Sequence, residues 1–519
     1  MKHIKDILSY LDIDKKDAVF YGEYKAKLRL SLLDKPENKT GKYVLVSAMT
    51  PTKFGEGKTL TTIGLSMAIN ELGKKAVACI RQPSLGPYLG VKGGGTGGGK
   101  CRALPEDDIN MHFTGDNYSV STAHNLIASI LDNHIFRGNE LNLDLGHINW
   151  GRVSDVSDGA LRSILLGMNW KDKSKDFPRK SGYAITAASE LMSILALSKN
   201  WDDFKEKIDS VIVAFNKKGS PVSLKDLSCS GAVAMLLKDA VMPNIVQTSS
   251  GTPCFIHTGP FANISIGSSS IIADKIALSV SDYVITESGF GMDCGGEKFF
   301  HIKSRASNIT PDAIVLVISI RALKEYGDEN LKTHIENANK FNRPVIVCIN
   351  KREEDADSDL DIAIKKAMDF GAYRAVVSAL WKDGAQGGAA FAQAVMQACN
   401  LPQKPISYLY DLDTPIIEKA KKLAIEVYRA KDLELSDEAM EKIRLFEDAG
   451  FGNLPICVAK TQFSISHSKE LGPAPRDYIF KINDAFLSAG AGFIVLICGN
   501  ISVLPSLPSH PRALNIQAP

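Results

Sequence analysis

Short runs rich in Val and Ile recur along the chain, each followed by a Gly, Pro or polar turn and then a helix-like segment. They are YVLVSA (43–48), AVACI (76–80), SVIVAF (210–215), DYVITE (282–287), AIVLVIS (313–319) and PVIVCIN (344–350). A strand with one wet face would alternate apolar with polar residues, so near-continuous apolar runs predict strands buried on both faces, as in a parallel sheet. Strands alternating with helices predict an α/β architecture with a mostly parallel sheet, in which ligands bind beyond the carboxyl ends of the strands. The chemistry is therefore expected in strand-to-helix loops.

The pattern changes at two places. A new strand-helix series begins near Thr310–Asp312, and LPQKP breaks the alternation near Asn400–Pro405, which predicts segments 1–310, 311–402 and 403–519. Residues 411–449 read as helical, and 450–519 are rich in Gly and Pro. The tail is expected to pack because its first half carries SAGAGFIVLIC. That apolar stretch, Ala489 to Cys498, is about half of what a membrane-spanning helix needs. The opening MKHIKDILSYLDIDKKD mixes Asp and Lys with apolar residues, so it reads as an amphipathic helix and not as a signal or transit peptide.

Composition narrows the picture further. At 519 residues the chain calls for roughly two to four domains. Basic and acidic residues balance at 61 to 59, which excludes wholesale binding to nucleic acid or an anionic membrane and leaves any anion site local. Nine cysteines stand singly with no CxxC pair, so neither a zinc ribbon nor a disulfide framework is expected, and a reduced cytoplasm fits.

The strongest chemical signal follows the first run, where YVLVSAMTPTKFGEGKTLTTIGLSMAINELG reads as strand, glycine loop and amphipathic helix. Backbone N–H groups at such a turn surround phosphate oxygens, a Lys reaches the β/γ-phosphates and a Thr hydroxyl ligates magnesium, which are the roles open to Lys58 and Thr59. The strict GxxxxGK[ST] pattern needs glycine at 52. Thr52 stands there, and Gly55 and Gly57 flank Glu56. The bland reading is a surface turn before a helix. A second cluster, VKGGGTGGGK, sets Gly93, Gly94, Gly97 and Gly98 between Lys92 and Lys100, and can wrap an anion closely or act as a tether. Arg81, directly after AVACI, is a candidate clamp for a transferring phosphoryl group, with a structural ion pair as the alternative. His112 and Asp116 in HFTGD are further candidates for magnesium, substrate or fold.

Taken together, TPTKFGEGKT, RQPSLGP, VKGGGTGGGK, HFTGD, NIVQTSSGTPCFIHTGPFANI, ESGFGMDCGGEKFFHIKSR and FGNLPICVAKTQFSIS resemble the formate–tetrahydrofolate ligase family over nearly the whole chain. The resemblance implies a P-loop nucleotide-binding domain over 1–310 and two smaller α/β domains, 311–402 contributing to the pterin site and 403–519. It further implies a homotetramer that makes 10-formyltetrahydrofolate from formate, ATP and tetrahydrofolate through formyl phosphate. Lys58 and Thr59 would hold the ATP phosphates and magnesium, Arg81 the transferring phosphate, and Trp381 would stack on the pterin. A monovalent cation is a further candidate. Arg352 stands where the family places a phenylalanine on the opposite pterin face, and Lys100, Ala184, Ala379 and Phe486 also depart from its pattern. These departures keep two alternatives open, a carboxylate-activating ligase with another amine or pterin acceptor, and a catalytically degenerate nucleotide-binding relative.

Overall fold

The apolar runs do what an unbroken stretch of Val and Ile dictates: they sink into the middle of a large sheet. A computed structural model describes residues 1–34, 41–90, 94–168, 177–499 and 501–516. Its principal sheet has twelve strands, and the seven from Pro253–Ile256 to Arg374–Ser378 run parallel. Their order in space is Pro253–Ile256, Ala76–Ile80, Tyr283–Glu287, Lys42–Ala48, Ala313–Ile318, Val345–Asn350 and Arg374–Ser378. Every residue of Ala313–Ile318 is buried, and burying each of its larger side chains contributes about 1.5–3 kcal/mol relative to exposure, which holds this run inside the sheet. Antiparallel strands, among them Asn244–Thr248, Ala26–Leu28 and Ala18–Phe20, continue the sheet at the other edge.

Two expectations change. The run at 210–215 is a strand, Ile212–Asn216, but it belongs to a separate three-stranded sheet and pairs antiparallel on both sides, with Pro221–Ser223 and Leu143–Ile148. An apolar run reports burial, not the direction of its neighbours. The helix after the glycine loop, Lys58–Glu71, is not amphipathic, because Leu60 through Ile69 are all buried. Two of its hydroxyls are satisfied locally, Thr62 donating to Lys58 O at 3.0 Å and Ser66 to Ile63 O at 2.8 Å. The outer face is covered by Cys101 and Leu380, which Gly64 admits: a Cβ there would lie 2.9 Å from Cys101 Sγ and 2.8 Å from Leu380 Cδ2.

The expected boundary at 310 falls between two strands paired side by side in the principal sheet, Lys42–Ala48 and Ala313–Ile318. Beyond 402 the strands form two small sheets, Asp432–Leu435 with Ile479–Ile482, and Ile456–Ala459 with Phe493–Ile497 and Asp484–Ser488. Helices Ile416–Glu426 and Asp437–Asp448 lie in the stretch read as helical. The tail packs: Ile185 N donates to Val503 O at 2.9 Å, Leu504 is buried, and the Arg512 guanidinium sits 4.1 Å above the Tyr88 ring. The opening segment forms helix Ile4–Tyr10, which buries Ile4, Ile7 and Leu8.

Candidate active site

The glycine loop joins a fully packed strand to a fully packed helix, so its shape is set at both ends. Gly57 caps the helix with φ 82° and no side-chain cap bond, the helix-start geometry that suits an anion. Gly55, at φ 77°, donates to Thr52 O at 3.0 Å and closes the turn. Glu56 points inward. Its Oε1 accepts the Thr52 N–H at 2.8 Å, its Oε2 accepts the Ser319 hydroxyl, and its carbonyl accepts from Asn350 Nδ2 at 3.1 Å. The carboxylate therefore braces the loop from within. Arg321 donates to Thr52 Oγ1 at 3.4 Å and lies 4.3 Å from the exposed Phe54 ring. Behind the loop the Thr50 hydroxyl meets His334 Nε2 at 3.0 Å and Asn330 Nδ2 at 2.8 Å, and burial holds His334 down to about 4, hence neutral.

Thr59, one residue into the helix, donates its hydroxyl to Glu287 Oε2 at 2.7 Å. The other oxygen of Glu287 lies 3.6 Å from Arg81 Nε. Sheet order explains the meeting: Tyr283–Glu287 is inserted between Lys42–Ala48 and Ala76–Ile80, so its last residue separates the two loops that follow those strands. Lys58, Thr59 and Arg81 thus share the carboxyl edge of three adjacent parallel strands, where a doubly wound sheet binds ligands. Two residues beside Arg81 hold left-handed backbone that bulky side chains rarely adopt, Phe290 at φ 58° and Thr258 at φ 54°, whose carbonyl accepts the Gln82 N–H at 2.6 Å. Strain of this kind, of order 1–3 kcal/mol per residue, gathers at functional sites. Gly289 is required as well, since its Cβ would stand 2.3 Å from Ala262 Cβ and 3.1 Å from Arg81 Nη1.

The second glycine cluster is a tight hairpin. Gly97–Gly98 pairs with Cys101–Leu104, and a Cβ on Gly97 would fall 2.3 Å from Cys101 O. Gly94 packs on Asn110, and Gly93 lies outside the described residues, as does Lys92. The hairpin rests on the Trp381 backbone: Lys100 N donates to Trp381 O at 3.0 Å, and Gly99, at φ 54°, leaves no room for a Cβ there. Trp381 is 51% exposed on the short helix Leu380–Asp383, anchored by buried Leu380, so it is not a core indole. Arg352 follows the adjacent strand, and the Lys382–Glu353 contact at 3.3 Å joins the two loops.

Asp116 is not brought to this group. It forms a buried ion pair with Lys27 at 2.7 Å and accepts from Asn244 at 2.9 Å, tying a helix start to the antiparallel edge of the sheet. Arg102 is exposed and pairs with Glu106 at 2.9 Å. Glu287 was not singled out by sequence reasoning, although it ends an apolar run and opens the block ESGFGMDCGGEKFFHIKSR. Among the described residues no three His, Cys, Asp or Glu side chains gather to hold a metal by themselves.

A family model described as formate–tetrahydrofolate ligase matches residues 1–518. The chain is 46% identical to the formate–tetrahydrofolate ligase of Thermotoga maritima, covering 99% of this chain and 98% of that protein. It is 45% identical to the protein so named in Pseudothermotoga lettingae over 96% and 92% of the two chains, and 42% identical to that of a Roseiflexus species over 99% and 96%.

Proposed function

The chain belongs to the formate–tetrahydrofolate ligase family, and from that membership we propose how its residues carry out the ATP-dependent ligation of formate to tetrahydrofolate. Formate is a poor acylating agent, so its carbon needs a better leaving group before an amine attacks. In the proposed sequence a formate oxygen attacks the γ-phosphorus of ATP, the bond from that phosphorus to the β,γ-bridging oxygen breaks, and ADP departs. Formyl phosphate remains. An amine nitrogen of tetrahydrofolate then attacks the formyl carbon, inorganic phosphate leaves with the C–O bonding pair, and the nitrogen loses its proton to give 10-formyltetrahydrofolate.

Phosphoryl transfer of this kind relies on positioning and charge stabilisation. The N–H groups at Gly57 and the following residues receive the phosphates, with Thr52, Gly55 and Glu56 holding the loop that presents them. Lys58 stabilises charge on the γ-phosphate, and Arg81 grips the phosphoryl group as it moves to formate. Magnesium prefers hard oxygen ligands and usually shares a nucleotide with one or two protein oxygens. The Thr59 hydroxyl is a donor of that class, and a bound ion would neutralise phosphate charge. Trp381 offers its exposed indole to the pterin, and the glycine hairpin rests on its backbone. Asp116 supports the helix start through Lys27 and Asn244.

What carries this reading is the meeting of Thr59 and Arg81 on one buried carboxylate beside Lys58. Purified protein given formate, tetrahydrofolate and MgATP is expected to form 10-formyltetrahydrofolate, and Lys58→Ala to lower the rate by about a hundredfold or more. Absence of product above the Lys58→Ala control would overturn it. We also propose the three-part division and the homotetramer that the family likeness implies, in the cytoplasm. All nine cysteines are free and buried, which suits a reducing compartment. Among the described residues no helix is long and apolar enough to cross a membrane.

A further inference from the structure

We infer that Glu287 is the positioning residue of the phosphoryl-transfer centre: it accepts the hydrogen bond of the Thr59 hydroxyl, turning the oxygen lone pairs toward the divalent cation that accompanies ATP, and it holds the Arg81 guanidinium beside that cation. The inference rests on the assignment of the ATP phosphates to the Gly57 loop.

A hydroxyl has one proton and two lone pairs. With Glu287 Oε2 at 2.7 Å the Thr59 proton is committed inward, and both lone pairs are left for a cation. Without that acceptor the same hydroxyl would donate to a phosphate oxygen and present its proton side to the metal. Glu287 is 3% exposed, so its charge has left water and needs compensation. The neighbours supply only part of it. Oε2 accepts one hydrogen bond, and Oε1 has no hydrogen bond among the described residues, only the Arg81 Nε contact at 3.6 Å, longer than a hydrogen bond. Arg81 Nε itself is buried without a hydrogen-bond partner. A buried carboxylate with acceptor capacity to spare, facing a half-buried guanidinium whose buried Nε has a donor to spare, is a pair whose bonding is completed by something else. Metal-bound water on Oε1 and phosphate oxygens on Arg81 complete it with the right charges. The structure-only alternative is an ion pair that merely joins two strand ends.

The two are separated by metal dependence. Binding of ATPγS is measured by calorimetry in excess magnesium and in excess EDTA, for the wild type and for Glu287→Gln, which keeps an acceptor oxygen but removes the charge. The expected result is an affinity in EDTA within about twofold of wild type, and a magnesium enhancement reduced about tenfold or more, the size of a typical coupling free energy. Thr59→Val should lose the same enhancement, and the double variant little more, because the two residues act as one unit. Thr59→Val also keeps the test open if Glu287→Gln fails to fold. An unchanged magnesium enhancement in either folded variant, or an equal loss with and without magnesium, would overturn the role. The outcome is distinct from failure of the underlying assignment, in which wild type and Lys58→Ala would bind ATPγS alike.

Discussion

On the proposed reading Trp381 and Arg352 meet the pterin, and they divide the work unequally. The indole is half exposed, so removing it empties no core and should leave the melting temperature unchanged. Stacking of a flat heterocycle on an aromatic side chain is worth about 1–3 kcal/mol by alanine substitution. Trp381→Ala is therefore expected to raise the KM for tetrahydrofolate by roughly tenfold to a hundredfold, with the KM for ATP unaltered; a parallel loss for both substrates would mean that the residue supports the fold instead. Arg352 is held by its backbone, which donates to Asp355 at 2.8 Å, while its Nε is buried without a partner. A guanidinium can lie on a ring, but it keeps hydration that a phenyl ring does not, so Arg352→Ala should cost less than Trp381→Ala in the same assay. Lys58, Thr59 and Arg81 were legible in the sequence because each sits within a few residues of the local signal that defines it. Glu287 was not, since its meaning comes only from the strand order that sets it between residues 59 and 81.

Among the elements, the glycine loop shows how much of a motif is backbone. Gly57 and Gly55 both hold positive φ, yet their surroundings differ: a Cβ on Gly57 would fall 2.5 Å from Asn350 Nδ2, whereas nothing lies within 4 Å of one on Gly55. Gly55→Ala should suffer only backbone strain, about 1–2 kcal/mol. Gly57→Ala should in addition displace Asn350 from the Glu56 carbonyl and turn the N–H groups of the helix start away. The rise in melting temperature on adding MgATP is accordingly expected to shrink slightly in the first variant and to vanish in the second. Equal responses would mean that the cap geometry is not what binds phosphate. The sequence showed that the loop follows a strand and opens a helix, but not that Glu56 turns inward, because its partners Ser319 and Asn350 come from strand ends more than 250 positions away. The same limit applies to 212–216, where burial was legible and pairing direction was not.

For the molecule as a whole, buried titratable groups set the pH range of stability, and one of them joins the body to the C-terminal sheets. Glu190 accepts the N–H groups of Gly490 at 2.8 Å and Ala491 at 3.2 Å, in the turn between strands Asp484–Ser488 and Phe493–Ile497. Burial raises its carboxyl to about 8, so the folded chain binds this proton more tightly than the unfolded one. Its stabilising contribution is complete below the ordinary glutamate range and is lost as pH rises through about 8. Three histidines act in the opposite sense. Burial lowers His124 to about 3 and His257 and His334 to about 4, so their contribution is complete above about 6.5 and is lost as pH falls toward those values. Asp155, raised to about 6 by burial, works with Glu190 against the histidines on the acid side but is already ionised above neutrality. Each fully titrating group contributes a slope of about 1.4 kcal/mol per pH unit. Three slopes outweigh two below about pH 6, and Glu190 alone acts between about 6.5 and 8. The melting temperature is therefore expected to peak near neutrality and to decline toward pH 8. Glu190→Gln keeps an acceptor for the turn and removes the ionisation, so its melting curve should stay flat across that interval and cross above the wild type. Parallel curves for the two proteins from pH 6.5 to 8.5 would show that the turn is held by packing alone and that the buried carboxyl does not set the alkaline limit.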